Sequence, residues 1–210
     1  MKNSKTDKNT KIKLPKYSFR GLSVEEAILK RRSVREYSEK PLSISEVSHI
    51  LFSAYGITHI VNGFELRASP SAGALYPIEI YFAAHNIEGI NEGIYHYIPQ
   101  NHSVEIIKKG NFREEILKAC LSQETFLTSS LTIIYTAVFR RTTSKYGERG
   151  YMYIYIEVGH IAQNVALQCV SLGLSSCVVG AFYENKINKI IGVDGKEQSS
   201  IYIQTIGFGI

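Results

Sequence analysis

The sequence predicts an α+β fold with a mixed central β-sheet flanked by helices. Three observations carry that prediction. Apolar, β-branched runs of strand length recur along the chain, and amphipathic segments with capping signals lie between them. Their order is helix, helix, strand, hairpin, helix, strand, helix, strand, helix, strand, which is not a regular βαβ series. One long segment, 151–172, is apolar almost all round and is expected to be a long helix buried at the centre of the molecule.

The elements follow in order. Residues 23–32 read as a helix, with Ser23 and Glu26 forming a capping box and Val24, Ala27 and Ile28 at helical spacing. Residues 43–56 repeat the pattern with Ser43 and Glu46, a stripe of Val47, Ile50, Leu51 and Ala54, and Gly56 at the end. Residues 57–77 carry few helix or strand signals before Pro77. Residues 78–85 then read as a strand. Residues 93–98 and 103–107 form a hairpin around Pro99-Gln100-Asn101-His102. Asn111 is expected to cap a helix to residue 121. The run 131–139 is apolar without Gly or Pro and predicts a central strand. After the long helix come a strand at 176–182, a short helix at 185–191 and a last strand at 200–208. No repeats or interdomain linker are evident.

The chain has 210 residues and a formal charge of +5. Six lysines and one aspartate lie in the first 16 residues, which alone account for that charge, and the remainder holds 18 basic and 18 acidic residues. Residues 1–18 are therefore expected to be a disordered Lys-rich tail, and 19–210 a single domain. The basic balance gives no reason to expect nucleic acid. The start lacks an apolar h-region, and no run approaches the roughly 18 apolar residues of a spanning helix, so no membrane partner is expected. Cys120, Cys169 and Cys177 have no metal-type spacing and read as reduced thiols of a cytoplasmic protein. No dinucleotide fingerprint, P-loop, HExxH or CxxC occurs, so no metal is expected.

Three segments do not look like scaffolding. Arg31-Arg32-Ser33-Val34-Arg35 places three arginines and a hydroxyl at a helix end, where guanidinium forks can bind a phosphate, or simply be solvated. Ser69 to Pro77 brackets small residues between two prolines, either a tight connection or a loop that lets a flat ligand reach the backbone. Ser176 to Phe182 ends in Val179-Gly180-Ala181, where a glycine again suits a backbone lying against a ligand.

Together these segments resemble the FMN-dependent nitroreductase superfamily, and within it the SagB-type dehydrogenases, which include azoline oxidases. The residues that carry the resemblance are RRSVREY, RASPSAGALYPIEIY, GIYHY, KYGERGY, EVGHIAQNVALQCVSLGL and CVVGAF. The resemblance implies a nitroreductase-like fold and an intertwined homodimer with shared FMN sites. It implies that Arg31, Arg32 and Ser33 hold the FMN phosphate and ribityl chain and that Arg35 reaches the pyrimidine edge. Pro70, Ser71, Ala72 and Gly73 are then expected to line the ring from the partner subunit, with Val179, Gly180 and Ala181 against its other face. Lys145 and Tyr146 are implied as the catalytic pair, which takes a proton from the substrate while hydride leaves to flavin N5. The expected substrate is a small molecule or a peptide azoline. One alternative is a nitro or quinone reductase using NAD(P)H as reductant; another is a flavin-binding subunit without turnover.

Overall fold

The computed structural model describes residues 10–18 and 21–210. Its strands are β1 (Lys11–Lys13), β2 (Ile57–Val61), β3 (Phe64–Arg67), β4 (Ile78–Ala84), β5 (Gly93–Ile98), β6 (Ser103–Lys109), β7 (Leu131–Val138), β8 (Ser175–Val179) and β9 (Gln198–Gly207). Its helices are α1 (Val24–Lys30), α2 (Ile44–Tyr55), α3 (Arg113–Ala119), α4 (Thr125–Thr128), α5 (Arg140–Tyr146), α6 (Arg149–Ser171) and α7 (Glu184–Ile191). Both expected capping boxes form: Ser23 and Ser43 each accept the amide three residues on, and Glu26 and Glu46 each reach back to the cap. Asn111 caps less directly, its Oδ1 accepting the Arg113 amide while Phe112 takes the cap position.

Seven strands form one sheet in the order β1-β6-β5-β4-β7-β9-β8. The sequence suggested a mixed sheet, but every pairing of these strands is antiparallel. Parallel contacts are isolated bridges, Ser33 with Ser176 and Leu42 with Ile87. The central strand β7 is buried over nearly its whole length. Its Leu131, Ile133, Tyr135 and Ala137 face a core shared with α2 and α6, while Ile134 faces a second core shared with α3 and α7. This alternation explains its continuous apolar sequence, because both faces are covered.

Three expectations need correction. Of the supposed tail, residues 1–9 lie outside the described residues, but Lys11–Lys13 pair with Ser103–Glu105 as an edge strand and Leu14 is buried. The reason is that Ile12 and Leu14 find apolar neighbours while the lysines stay outside. The segment 57–77 is not featureless either: β2 and β3 make a hairpin through Asn62-Gly63, both at positive φ as a tight primed turn requires. Finally, α6 is not buried all round. Ile154, Val158, Ile161 and Val165 pack inward, but Tyr151, Met152, Tyr155 and Ile156 are exposed, Tyr155 by 54%. The sheet can cover only one side of a helix, so a second apolar face is left outward.

No helix among the described residues is long and apolar enough to cross a membrane. The three cysteines are free and buried.

A buried histidine gives the fold a pH dependence. His85 is 6% exposed, has Thr132 Oγ1 at 3.2 Å from its Nε2, and has no partner at Nδ1. Burial, with a contribution from the Arg113 charge, pushes its pKa down to about 3. In the unfolded chain the ring takes its proton near pH 6.5, so the unfolded state binds more protons between those values. Stability is therefore expected to fall as pH drops through that window, by roughly 2–3 kcal/mol at pH 4.5. Urea melts of His85→Gln at pH 7 and 4.5 should show a smaller loss than wild type; an equal loss would assign the effect to other groups.

Candidate active site in two halves

The first half lies where α1 ends. After Arg31 the chain runs beside β8: Ser33 bridges Ser176, and the Val34 amide donates to the Ser176 carbonyl at 3.2 Å. A cavity of about 110 Å³ opens there, lined by Arg31, Ser33, Gln163, Ser176, Val178 and Tyr202 among others. Arg31 and Ser33 thus face one space. Arg32 does not share it: its Nη1 donates to the carbonyls of Leu29 at 2.9 Å and Arg31 at 2.7 Å. Arg35 is exposed and near Cys177, whose thiol is pushed up by burial and pulled part of the way back by that charge. The strand end also differs from expectation. Strand alternation turns the Val179 side chain into the second core and leaves Val178 on the cavity wall. Gly180 and Ala181 are exposed, with the Ala181 carbonyl accepting from Gln123 Nε2 at 2.9 Å.

The second half is the Ser69–Pro77 loop. Asn164 fixes its start, donating from Nδ2 to Ser69 Oγ and to the carbonyls of Ser53 and Ala68 at 3.0–3.3 Å. The turn that follows is tight: Gly73, Ala74 and Tyr76 all have positive φ, at 63°, 52° and 46°. For Ala74 and Tyr76 this costs on the order of 1 kcal/mol each, so neighbouring contacts must hold the shape. Ser71 Oγ accepts the Tyr76 amide at 2.9 Å, and Arg141 Nη1 donates to the Tyr76 carbonyl at 3.1 Å. Arg141 is itself anchored on Glu79 at 2.6 Å. Burial alone would raise the Glu79 pKa, but His96 at 2.8 Å and Arg141 outweigh it and hold the carboxyl below its usual value.

Lys145 and Tyr146, at the end of α5, meet this loop. An ideal Cβ on Gly73 would sit 2.8 Å from Tyr146 Oη and 3.0 Å from Lys145 Nζ. A side chain here would push both tips outward, and the positive φ favours glycine at this position. Tyr146 is held edge-on by Tyr153 at 5.1 Å. A second cavity of about 230 Å³ adjoins, lined by Pro70, Ser71, Ala72, Tyr153, Glu157 and His160 among others. Burial raises the Glu157 pKa despite hydrogen bonds from Ser71 and Tyr55 and the charge of Arg67.

Helix α6 is the wall common to both halves: Gly159 and Gln163 line the first cavity, and Tyr153, Glu157 and His160 the second. Sequence reasoning missed Glu157, Val178 and Tyr202. A carboxylic residue on the apolar stripe of a long helix was the available signal for Glu157.

The model of the nitroreductase family matches residues 28–208. The chain belongs to the nitroreductase family. Among nitroreductase-type relatives, MJ1384 of Methanocaldococcus jannaschii is 44% identical over 182 residues, covering 87% of this chain and 89% of that protein. A solved nitroreductase-type structure from Anabaena variabilis superimposes with a TM-score of 0.82 at 29% identity, over 96% of this chain and 42% of that one. The microcin B17-processing protein McbC of Escherichia coli is 28% identical over 173 residues, covering 79% of this nitroreductase-family chain and 62% of McbC. A chain of the E. coli McbBCD microcin synthetase complex with truncated pro-MccB17 bound has a TM-score of 0.74 at 23% identity, over 96% of this chain and 78% of that one.

Proposed function

We propose that this chain is an FMN-dependent oxidoreductase of the SagB type, moving hydride between flavin N5 and a small-molecule or peptide azoline substrate. The observation that carries the reading is the division of the site. Oxyanion-binding groups gather in one half, and small loop residues with a Lys-Tyr pair gather in the other. The two cavities, about 110 and 230 Å³, are each below the roughly 300 Å³ at which cofactor pockets begin. A homodimer completes them, each ring lying between the first half of one protomer and the second half of its partner. The exposed apolar faces of α6 (Tyr151, Tyr155, Ile156) and α1 (Val24, Ile28, Leu29) give that dimer its surface.

The residues present suit FMN. Arg31 and Ser33 offer a guanidinium and a hydroxyl to the phosphate, and Arg35 offers positive charge to the pyrimidine edge. Gly180 is open, the nearest side chain to an ideal Cβ being the Tyr202 ring at 3.9 Å, so a flat group can lie against its backbone. Pro70, Ala72 and Gly73 present no bulk to the opposite face. Bound flavin supplies the hydride-accepting centre. As hydride leaves one substrate carbon, Lys145 takes the proton from the neighbouring carbon, whose C–H electrons form the new double bond, and Tyr146 orients the lysine. The likeness to the microcin B17-processing protein McbC supports a peptide azoline over a nitroaromatic.

The visible spectrum of the purified protein tests the reading. Flavin absorbance at one FMN per protomer, bleached by a synthetic azoline-containing peptide without oxygen, is the expected result. Bleaching by NAD(P)H alone would favour the nitro or quinone reductase, and protein that takes up no added FMN would overturn both.

A further inference from the structure

Glu157 is the only Asp or Glu among the described residues that is fully buried, at 2% exposure. It stands on the inward stripe of α6 between Ile154 and Ile161. Tyr55 Oη donates to its Oε1 at 2.6 Å, and the Ser71 hydroxyl is its other hydrogen-bond partner. Ser71 Oγ also accepts the Tyr76 amide. One hydroxyl therefore joins the two: its lone pair takes the amide, and its hydrogen goes to the carboxyl. The resulting chain runs from the long helix into the turn that contains Gly73, Ala74 and Tyr76 in left-handed conformation. On the far side the Arg67 guanidinium lies against the rings of both Tyr55 and Tyr76, 4.4 and 4.7 Å from their centroids.

A core position on α6 has no need of a carboxylic acid, since an apolar side chain of similar size avoids the desolvation cost. What the carboxyl does here is bond to the loop. We propose that Glu157 is the positioning residue of the ring half-site: through Ser71 it holds the 71–76 turn, and with it Pro70, Ala72 and Gly73, in the shape that receives a flat ring. The ring's identity rests on the proposed function; the hold on the turn does not.

Amide hydrogen exchange separates the two. In Glu157→Leu, exchange at residues 72–76 is expected to rise about tenfold or more, while the amides of β7 keep their protection. Glu157→Gln keeps a carbonyl oxygen whose two lone pairs can accept from both Tyr55 and Ser71, and should stay within about threefold of wild type. Ser71→Ala breaks the same chain at its middle link in a half-exposed residue, so it tests the proposal even if Glu157→Leu does not fold. It should release the turn alone, and adding Glu157→Leu to it should release it no further. FMN titration should follow the same order, weakening about tenfold or more in Glu157→Leu and Ser71→Ala, with Glu157→Gln near wild type. Unchanged exchange at 72–76 in both Leu and Ala variants, or loosening of β7 in step with the turn, would overturn the positioning role. Wild type that binds no FMN yet shows the exchange pattern would overturn the proposed function and leave the role of Glu157 standing.

Discussion

Lys145→Ala is expected to lower oxidation of a synthetic azoline-containing peptide by about 10²–10⁴-fold while leaving FMN bound. The size follows from what a positioned base contributes when it removes a proton in the transition state. The binding half of the expectation follows from placement. Lys145 is exposed on α5 and closes over Gly73 with Tyr146, whereas the oxyanion groups Arg31 and Ser33 lie in the other half of the site. The measurement is loss of two hydrogens from the peptide by mass spectrometry, beside the flavin spectrum of the same sample. Tyr146→Phe keeps the ring that packs on Tyr153 and removes only the hydroxyl, so it should cost less than Lys145→Ala. Unchanged peptide oxidation in Lys145→Ala would remove the lysine from the chemistry.

The second large effect concerns Arg31. Arg31→Glu places an anion where the proposed function puts the FMN phosphate, and FMN affinity should fall by about 2–5 kcal/mol, roughly 30- to 5,000-fold. Arg32→Glu should do less, because the Arg32 guanidinium is committed to the Leu29 and Arg31 carbonyls. The bare RRS sequence offers no such ranking, since nothing in three adjacent letters tells which side chain turns back on its own helix. Fluorescence titration with FMN and with riboflavin separates charge from misfolding: only the phosphate-bearing flavin should lose affinity to Arg31→Glu. Equal losses for both ligands would place the phosphate elsewhere.

Much of this architecture was legible from local rules because the local and global preferences agree. The two Ser-x-x-Glu capping boxes start helices where expected, and β7 reads as central because an eight-residue apolar and β-branched run without charge, Gly or Pro suits a strand covered on both faces. The Asn62-Gly63 hairpin carried a readable turn signal, but Ile60, Val61, Phe64 and Leu66 of its strands are exposed, the reverse of the apolar-inward pattern by which a strand is recognised. Helix α5 was illegible for a different reason. Its sequence RRTTSKY has no apolar stripe, and it is held by the long-range Arg141–Glu79 pair and by packing on the helix that follows it, α6. The segments of the site were recognisable from their composition, but their division into two halves was not. That depends on which way α6 faces, and the side chains of α6 are apolar on both sides.

The placement of Lys11 and Lys13 bears on a hazard common to all open sheets. β1 is one of the two outermost strands, and an unpaired strand edge is a template for another chain. Here the outermost strand is three residues long and carries an exposed lysine on either side of Ile12. At the opposite margin the Ser33–Val34 segment lies along β8 and takes up part of its hydrogen-bonding capacity. The lysines that dominate the charge count are thus, in part, gatekeepers against edge-to-edge aggregation: they keep the copies of this chain from growing into a continuous sheet.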